Sequence, residues 1–214
     1  MAGELILPEV ATPSTPASSK QAIYATNAAG TGKVVIAHKD SAGLIVPLLE
    51  PIFTSNVADF TLANSASAQS PFEAARDTLT VVASTTYLME GLVQLTGMGA
   101  TTRTTALEFD AGSATFTAIS YFGEIYTGAA QTIPTASGQK HCIAATAQIL
   151  NATVATAAAT IKWRGLVRIN GAGTFIPQIK FSADPTGTLI SEQDSYFMMI
   201  PLGLNTLGSI GSWA

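Results

Sequence analysis

Residues 161–181 constrain the fold more than any other stretch of this chain. Ile161, Trp163, Val167 and Ile169 alternate with Lys162, Arg164 and Arg168. Successive side chains of a strand point to opposite faces, so this spacing gathers the bulky apolar groups on one side of an extended segment. Asn170-Gly171-Ala172-Gly173 follows. Asparagine and glycine accept the positive φ of tight loops, so the chain is expected to reverse there and return as the second arm of a hairpin. The return keeps the alternation, with Phe175, Ile179 and Phe181 against Thr174, Gln178 and Lys180. Pro177 has no N–H to donate, which predicts an edge or a bulge at that point. A lone hairpin is marginal in water, so the Trp163 and Phe175 faces require a second layer.

The same signals recur along the chain. Residues 1–20 carry Pro8, Pro13 and Pro16 among Thr, Ser and Ala, a composition that resists helix and central strand and predicts an extended arm. Its apolar start, Leu5, Ile6, Leu7 and Pro8, is the candidate for docking on a partner. Residues 21–50 divide into three short strands, 22–25, 33–37 and 44–48, separated by turn-forming 27–32 and 39–43. Three such strands are too few to enclose a core. Ile23, Tyr24, Val35 and Ile45 are therefore expected to meet the same segment of neighbouring chains in a three-fold assembly. Residues 51–75, rich in Ser, Ala and Asn with Phe53, Phe60 and Phe72 spaced through them, read as a linker.

Strand character returns from 76 onward. Leu79, Val81, Tyr87, Met89, Val93 and Leu95 fall at odd positions, and 105–109 with 114–122 read as another hairpin-like pair. The Ala/Thr-rich segment 141–159 is expected to be strand, because Thr146, Thr153, Val154 and Thr156 offset the helix propensity of alanine. About eight short strands with turn signals between them and no amphipathic helix predict an all-β fold, with 76–214 an antiparallel jelly-roll sandwich.

Charge bounds the function. Charged residues make up 11% of the chain, against roughly 25% in an average soluble protein, and the mean hydropathy is +0.34. A surface so sparsely charged is poorly protected against association, and is expected to be buried against other copies or partners. A net charge of −4, with no run among the ten Lys and Arg, argues against a nucleic-acid partner. The N-terminus lacks the basic start and apolar core of a secretory signal. No apolar run approaches the roughly 18 residues of a membrane span, so the chain is expected to be made in the cytoplasm and to engage no membrane.

The candidate chemistry is thin. Gly30-Thr31-Gly32-Lys33 resembles part of a phosphate loop, but Asn27 stands where the earlier glycine belongs and Val34 where Ser or Thr would bind magnesium. His141 and Cys142 are adjacent, so a strand points them to opposite faces and they cannot readily pair. His38 and His141 are the two histidines and Cys142 the one cysteine, too few for a three-histidine or multi-thiolate metal site. Glu90, Glu108, Asp110, Glu124, Asp184, Glu192 and Asp194 supply carboxylates, but no spacing forces two together. Glu90 and Glu108, taken as neighbours on adjacent strands, are expected to be solvated or paired with Arg164 or Arg168. Tyr121, Phe122, Tyr126, Trp163, Phe175, Tyr196 and Trp213 are expected mainly in the core, with a sugar platform as the other use. No catalytic residue, cofactor or metal is expected.

Several of these stretches carry a family resemblance. Thr85-Thr86-Tyr87-Leu88-Met89-Glu90, 170–178, Ser195-Tyr196-Phe197 followed by Pro201-Leu202-Gly203, and the closing Gly211-Ser212-Trp213-Ala214 resemble the C-terminal domain of tailed-bacteriophage minor structural and fibre-like proteins. Thr12-Pro13-Ser14-Thr15-Pro16-Ala17, Ile23-Tyr24 and Lys39-Asp40-Ser41-Ala42-Gly43 resemble the β-prism unit that precedes such domains. The resemblance implies a virion component, assembled in the host cytoplasm, that trimerises through a strand-rich N-terminal region and displays a jelly-roll head. Its implied partners are its own copies and the major capsid protein or another virion protein, in a capsid decoration or head-fibre role without enzymatic activity. Two other readings stand beside it. One is a tail fibre or receptor-binding tip whose loops near 97–102 and 126–138 contact host glycan. The other is an enzyme that degrades surface polysaccharide through a carboxylate pair.

Overall fold

Period-two alternation becomes β-structure throughout. The computed structural model describes residues 22–27, 34–39, 45–47, 51–128 and 136–206, with side chains over 51–128 and 137–206. The described residues form strands β1 (Ala22–Asn27), β2 (Val34–Lys39), β3 (Ile45–Pro47), β4 (Ile52–Ser55), β5 (Phe60–Thr61), β6 (Leu79–Val81), β7 (Thr85–Met98) and β8 (Thr105–Asp110). These are followed by β9 (Thr115–Thr127), β10 (Ala136–Cys142), β11 (Gln148–Ile149), β12 (Ala159–Gly171), β13 (Gly173–Phe181), β14 (Gly187–Ser191) and β15 (Tyr196–Leu204). There is no helix among them.

The chain divides into two units, Met1–Pro51 and Ile52–Ala214. In the first, β1, β2 and β3 make an antiparallel sheet in that order. Its register groups Tyr24, Val35 and Ile45 at positions of one parity and sets Ile23 at the other. Leu5, Ile6, Leu7 and Pro8, and the partial phosphate loop at 30–33, lie outside the described residues.

The second unit is a sandwich of two antiparallel sheets. The larger runs β10-β9-β12-β7, and the far edge of β7 is shared by β15, with β4 beyond it, and by β14, with β5 beyond it. The smaller runs β11-β8-β13-β6. Residues 51–75 are part of this unit and not a linker. β4 and β5 extend the large sheet, and Leu62 and Phe72 are buried in the core. The described residues of this unit hold twelve strands where about eight short ones were expected, and several are long, with 14 residues in β7 and 13 in β9 and β12. The Ala/Thr segment 141–159 is mostly irregular instead of strand: β10 ends at Cys142, β12 begins at Ala159, and between them only β11 and a bridge at Val154 are paired.

The expected hairpin at 161–181 is a turn between sheets. β12 pairs with β7 and β9, whereas β13 pairs with β6 and β8. The pair 105–109 and 114–122 behaves alike, since β8 lies in the small sheet and β9 in the large one. The physical reason is common to both. Each arm carries a row of large apolar residues, and two arms in one sheet would still leave that row needing cover. Sending the second arm to the opposite sheet makes each row the cover of the other. The two turns are tied together: Ser113 N donates to Thr174 Oγ1 at 3.0 Å and Thr174 N to Ser113 Oγ at 3.1 Å. At Gly173, where φ is +155°, a Cβ would meet the backbone of Ser113 and Ala114.

Pro177 sits at a break in the ladder. Ile179 exchanges both backbone hydrogen bonds with Gln69, so the nitrogen two residues earlier faces the same side, and β6 reaches only to Phe175 there.

Between the sheets lies an aromatic cluster. Phe109 of β8 stacks on Phe175 of β13 at 5.4 Å and meets Tyr121 of β9 edge-on at 5.1 Å. Trp163 of β12 and Phe197 of β15 approach to 5.6 Å although β7 runs between their strands. Neighbouring strands are about 4.8 Å apart, so the two rings must reach over β7. The residue beneath them, in register with both, is Gly91, and a Cβ there would run into the indole of Trp163. Gly91→Ala is expected to lower unfolding free energy by about 1–3 kcal/mol, the usual effect of overpacking. Urea unfolding would show it as a lower midpoint at unchanged slope.

Candidate functional site

With the odd-numbered residues of β7, of β12 and, from Ile119 onward, of β9 turned inward, the even-numbered ones there compose an outer face of the large sheet. Register aligns them in rows: Glu124, Lys162, Leu92 and Tyr196; Phe122, Arg164, Glu90 and Met198; Ser120, Leu166, Leu88 and Ile200. Phe53 of β4 continues the second row beyond Met198. Phe53, Phe122 and Leu166 are 57%, 44% and 40% exposed.

Polar groups knit the middle of this face. Tyr196 Oη donates to Glu90 Oε1 at 3.1 Å, and Arg164 Nε lies 3.7 Å from Glu90 Oε2. The Phe53 and Tyr196 rings stack at 6.0 Å. Gln139 donates to Glu124 at 3.1 Å. Burial, and secondarily the Glu90 carboxylate that its proton serves, push the Tyr196 phenol above its ordinary value. A depression of about 270 Å³ opens here among Phe122, Glu124, Lys162, Arg164, Glu90 and Tyr196. Arg164 is largely exposed, so its ion pair adds little to stability and leaves most of the guanidinium free for a partner.

The expected residues separate as follows. Glu90 does pair with Arg164, but Glu108 is on β8 in the opposite sheet, so the two carboxylates are not on adjacent strands. Glu192 accepts from the Thr96 hydroxyl, and Asp184 accepts from the Ala66 N–H at 2.6 Å. Among the described residues, no group of three His, Cys, Asp or Glu could hold a metal ion. His141 and Cys142 take opposite faces. His141 is exposed with Nε2 3.0 Å from Ser120 Oγ, while Cys142 is buried opposite Tyr121. Gly97 and Gly99 of the expected glycan loop pack on 186–188, and 129–135 of the other loop and Trp213 lie outside the described residues.

Arg103 escaped the reading of the sequence. It is buried, sits 5.7 Å over the Phe181 ring, and gives hydrogen bonds to the carbonyls of Thr101 at 2.6 Å and Thr156 at 2.8 Å. Its backbone pairs with Val154 in both directions. It fastens the irregular 151–158 segment to the end of the sandwich. Its partners are main-chain oxygens, which no pattern of side chains announces.

No protein-family model matches this chain, and no curated protein matches it in sequence.

Two outcomes follow from the buried groups. Arg103→Met keeps much of the volume but strips donors from buried carbonyls. At ~1–3 kcal/mol for each acceptor left unpaired, it should be among the most destabilising single changes, read by urea midpoint. Burial holds the phenols of Tyr87 and Tyr121 and the thiol of Cys142 above their ordinary values of 10.0 and 9.0. The unfolded chain loses these protons first, so the native state binds more of them at alkaline pH. Stability should therefore be level below about pH 9 and fall as pH rises past 10. Tyrosine ionisation at 295 nm should lag in the native protein and complete on unfolding.

Proposed function

We propose that this chain is a structural protein of a tailed-bacteriophage particle, a trimeric surface component that decorates or stabilises the capsid. The observation that carries the reading is the first unit. Among the described residues β1, β2 and β3, with six, six and three residues, form a single sheet, and a single sheet needs a second layer to bury an apolar face. Copies of the same segment would provide it, as in a stalk of three chains. The strand order of the sandwich supports the same reading. Counting β6 to β13 as one to eight, the small sheet runs 6-3-8-1 and the core of the large one 5-4-7-2. We read this as a jelly roll, an architecture that serves viral capsids as well as lectins, and fold alone does not assign the role. The partners proposed are its own copies and the major capsid protein or another virion protein, through the arm at Leu5, Ile6, Leu7 and Pro8.

A second reading, a tip that binds host glycan, draws on the exposed Phe122 beside the Glu90–Arg164 pair. In solution the protein should show one mass, three times that of the 22.0 kDa chain. A stable monomer at micromolar concentration would refute the trimer. Labelled protein should bind purified capsids at fixed stoichiometry. Binding confined to the tail tip, with blocked adsorption to host cells, would favour the second reading.

A further inference from the structure

The chain holds six asparagines, and only Asn170 is followed by glycine. That order matters because the side-chain amide of an asparagine lies within reach of the next residue's main-chain nitrogen, and a Cβ on that residue hinders the approach. Glycine has none. The fold then treats the asparagines differently. Asn56 and Asn151 are buried with their side chains engaged: Asn56 Nδ2 donates to the Pro71 carbonyl at 3.0 Å and to Ser191 Oγ at 2.9 Å, and Asn151 Oδ1 accepts from the Thr105 N–H at 2.7 Å. Asn64 is exposed, but its Nδ2 donates to the Gly187 carbonyl. Asn170 is exposed, and among the described residues its side chain makes no hydrogen bond. It also stands where the sheet releases the chain. β7 pairs with β12 as far as Ile169, opposite Thr85. On the other side Ile169 faces Phe116 and Gly171 faces Thr115, so Asn170 is the extra residue of a bulge. Such a residue is left out of the ladder. Its main-chain carbonyl accepts from the Ser84 N–H at a long 3.3 Å.

We infer that Asn170 and Gly171 form a self-modifying site, at which the folded protein slowly converts the Asn170 amide into a carboxylate. The Gly171 nitrogen attacks Asn170 Cγ. The new N–Cγ bond closes a cyclic imide while the Cγ–Nδ2 bond breaks, and the proton of the attacking nitrogen leaves with the ammonia. Water then opens the ring. Cleavage of the N–Cγ bond restores the main chain with aspartate at 170, whereas cleavage of the other imide N–C bond leaves the main chain routed through Cγ as isoaspartate. Water is the only co-reactant, and nothing is oxidised or reduced. Both products bear on the passage from β12 to β13. Each adds a negative charge, and charge-changing modifications act through local electrostatics and packing. Isoaspartate also lengthens the main chain by a methylene where there is little slack: a Cβ at Gly171 would lie 2.7 Å from Thr115 Oγ1, and one at Gly173 would press on the Ala114 nitrogen. Ser84, whose N–H meets the Asn170 carbonyl, accepts in turn from the Asn205 N–H at 2.9 Å. A shift at 170 is thereby passed to the end of β15.

The chemistry is independent of the assembly proposed above. To test it, the full chain would be kept folded at mildly alkaline pH, where the Gly171 N–H gives up its proton more readily, then digested and its peptides separated and weighed. The peptide bearing Asn170 is expected to gain the mass difference between oxygen and NH and to resolve into aspartate and isoaspartate forms. An isoaspartate methyltransferase should label the second form. Peptides bearing Asn56, Asn64 and Asn151 are expected to keep their mass. Asn170→Ser should abolish the change, and Gly171→Ala should slow it severalfold. The same chain unfolded in urea is the reference. Conversion at Asn170 in urea but none in the folded protein would overturn the inference, because the fold would then be closing the site instead of leaving it open. Conversion of Asn64 as fast as Asn170 in the folded protein would overturn it as well, since neither the glycine nor the bulge would then be selecting the residue. Should Gly171→Ala fail to fold, Asn170→Ser and the urea reference still decide the matter.

Discussion

The meeting of Trp163 and Phe197 over Gly91 is the contact on which the sandwich depends. Those two rings come from strands on either side of β7, and they touch because the residue between them has no side chain. Phe109 and Phe175 close on them from the opposite sheet, at 6.2 Å and 6.3 Å from Trp163 and Phe197 respectively. Aromatic pairs contribute beyond their buried area and only in tilted or offset arrangements, so the cluster fixes how the sheets lie against each other as well as that they do. With the interior filled by rings from five strands, the sheets need no disulfide, and Cys142 is free and buried.

The cluster also decides what the surface can be. Trp163 and Gly91 inward put Arg164 and Glu90 outward, because residues one apart on a strand cannot share a face. The ion pair, the Tyr196 hydroxyl on Glu90 and the exposed Phe122 are thus the reverse side of the core. A one-residue slip of β12 against β7 would lose core and outer face together. At the end of the sandwich Arg103 does comparable work with main-chain acceptors, holding a stretch that has little sheet pairing of its own.

Reading the chain residue by residue found the faces and missed the partners. The inward row of β12 and the opposite fates of His141 and Cys142 follow from parity, which is local. That β12 and β13 leave each other at Ala172 does not. The same Asn-Gly-Ala-Gly run can close a hairpin or carry the chain across a core, and the choice depends on which strands are available to pair with each arm. The segment 51–75 was legible only as polar and aromatic by turns. Its Phe72 is core because strands from 79 onward build the place where it sits. The candidate face needed both kinds of information, since parity names its residues but only register brings Phe53, Met198, Glu90, Arg164 and Phe122 into one row.

By itself the sequence determined that this chain is all-β, layered, sparsely charged and held together without cross-links, because alternation, turn residues and composition act over a few neighbours at a time. The tertiary structure alone decided which strands share a sheet, where the turns cross the core and which side chains meet in a row on the outer face. Pairing is a contest among distant segments for the same hydrogen bonds, and its outcome is written in no single stretch of the chain.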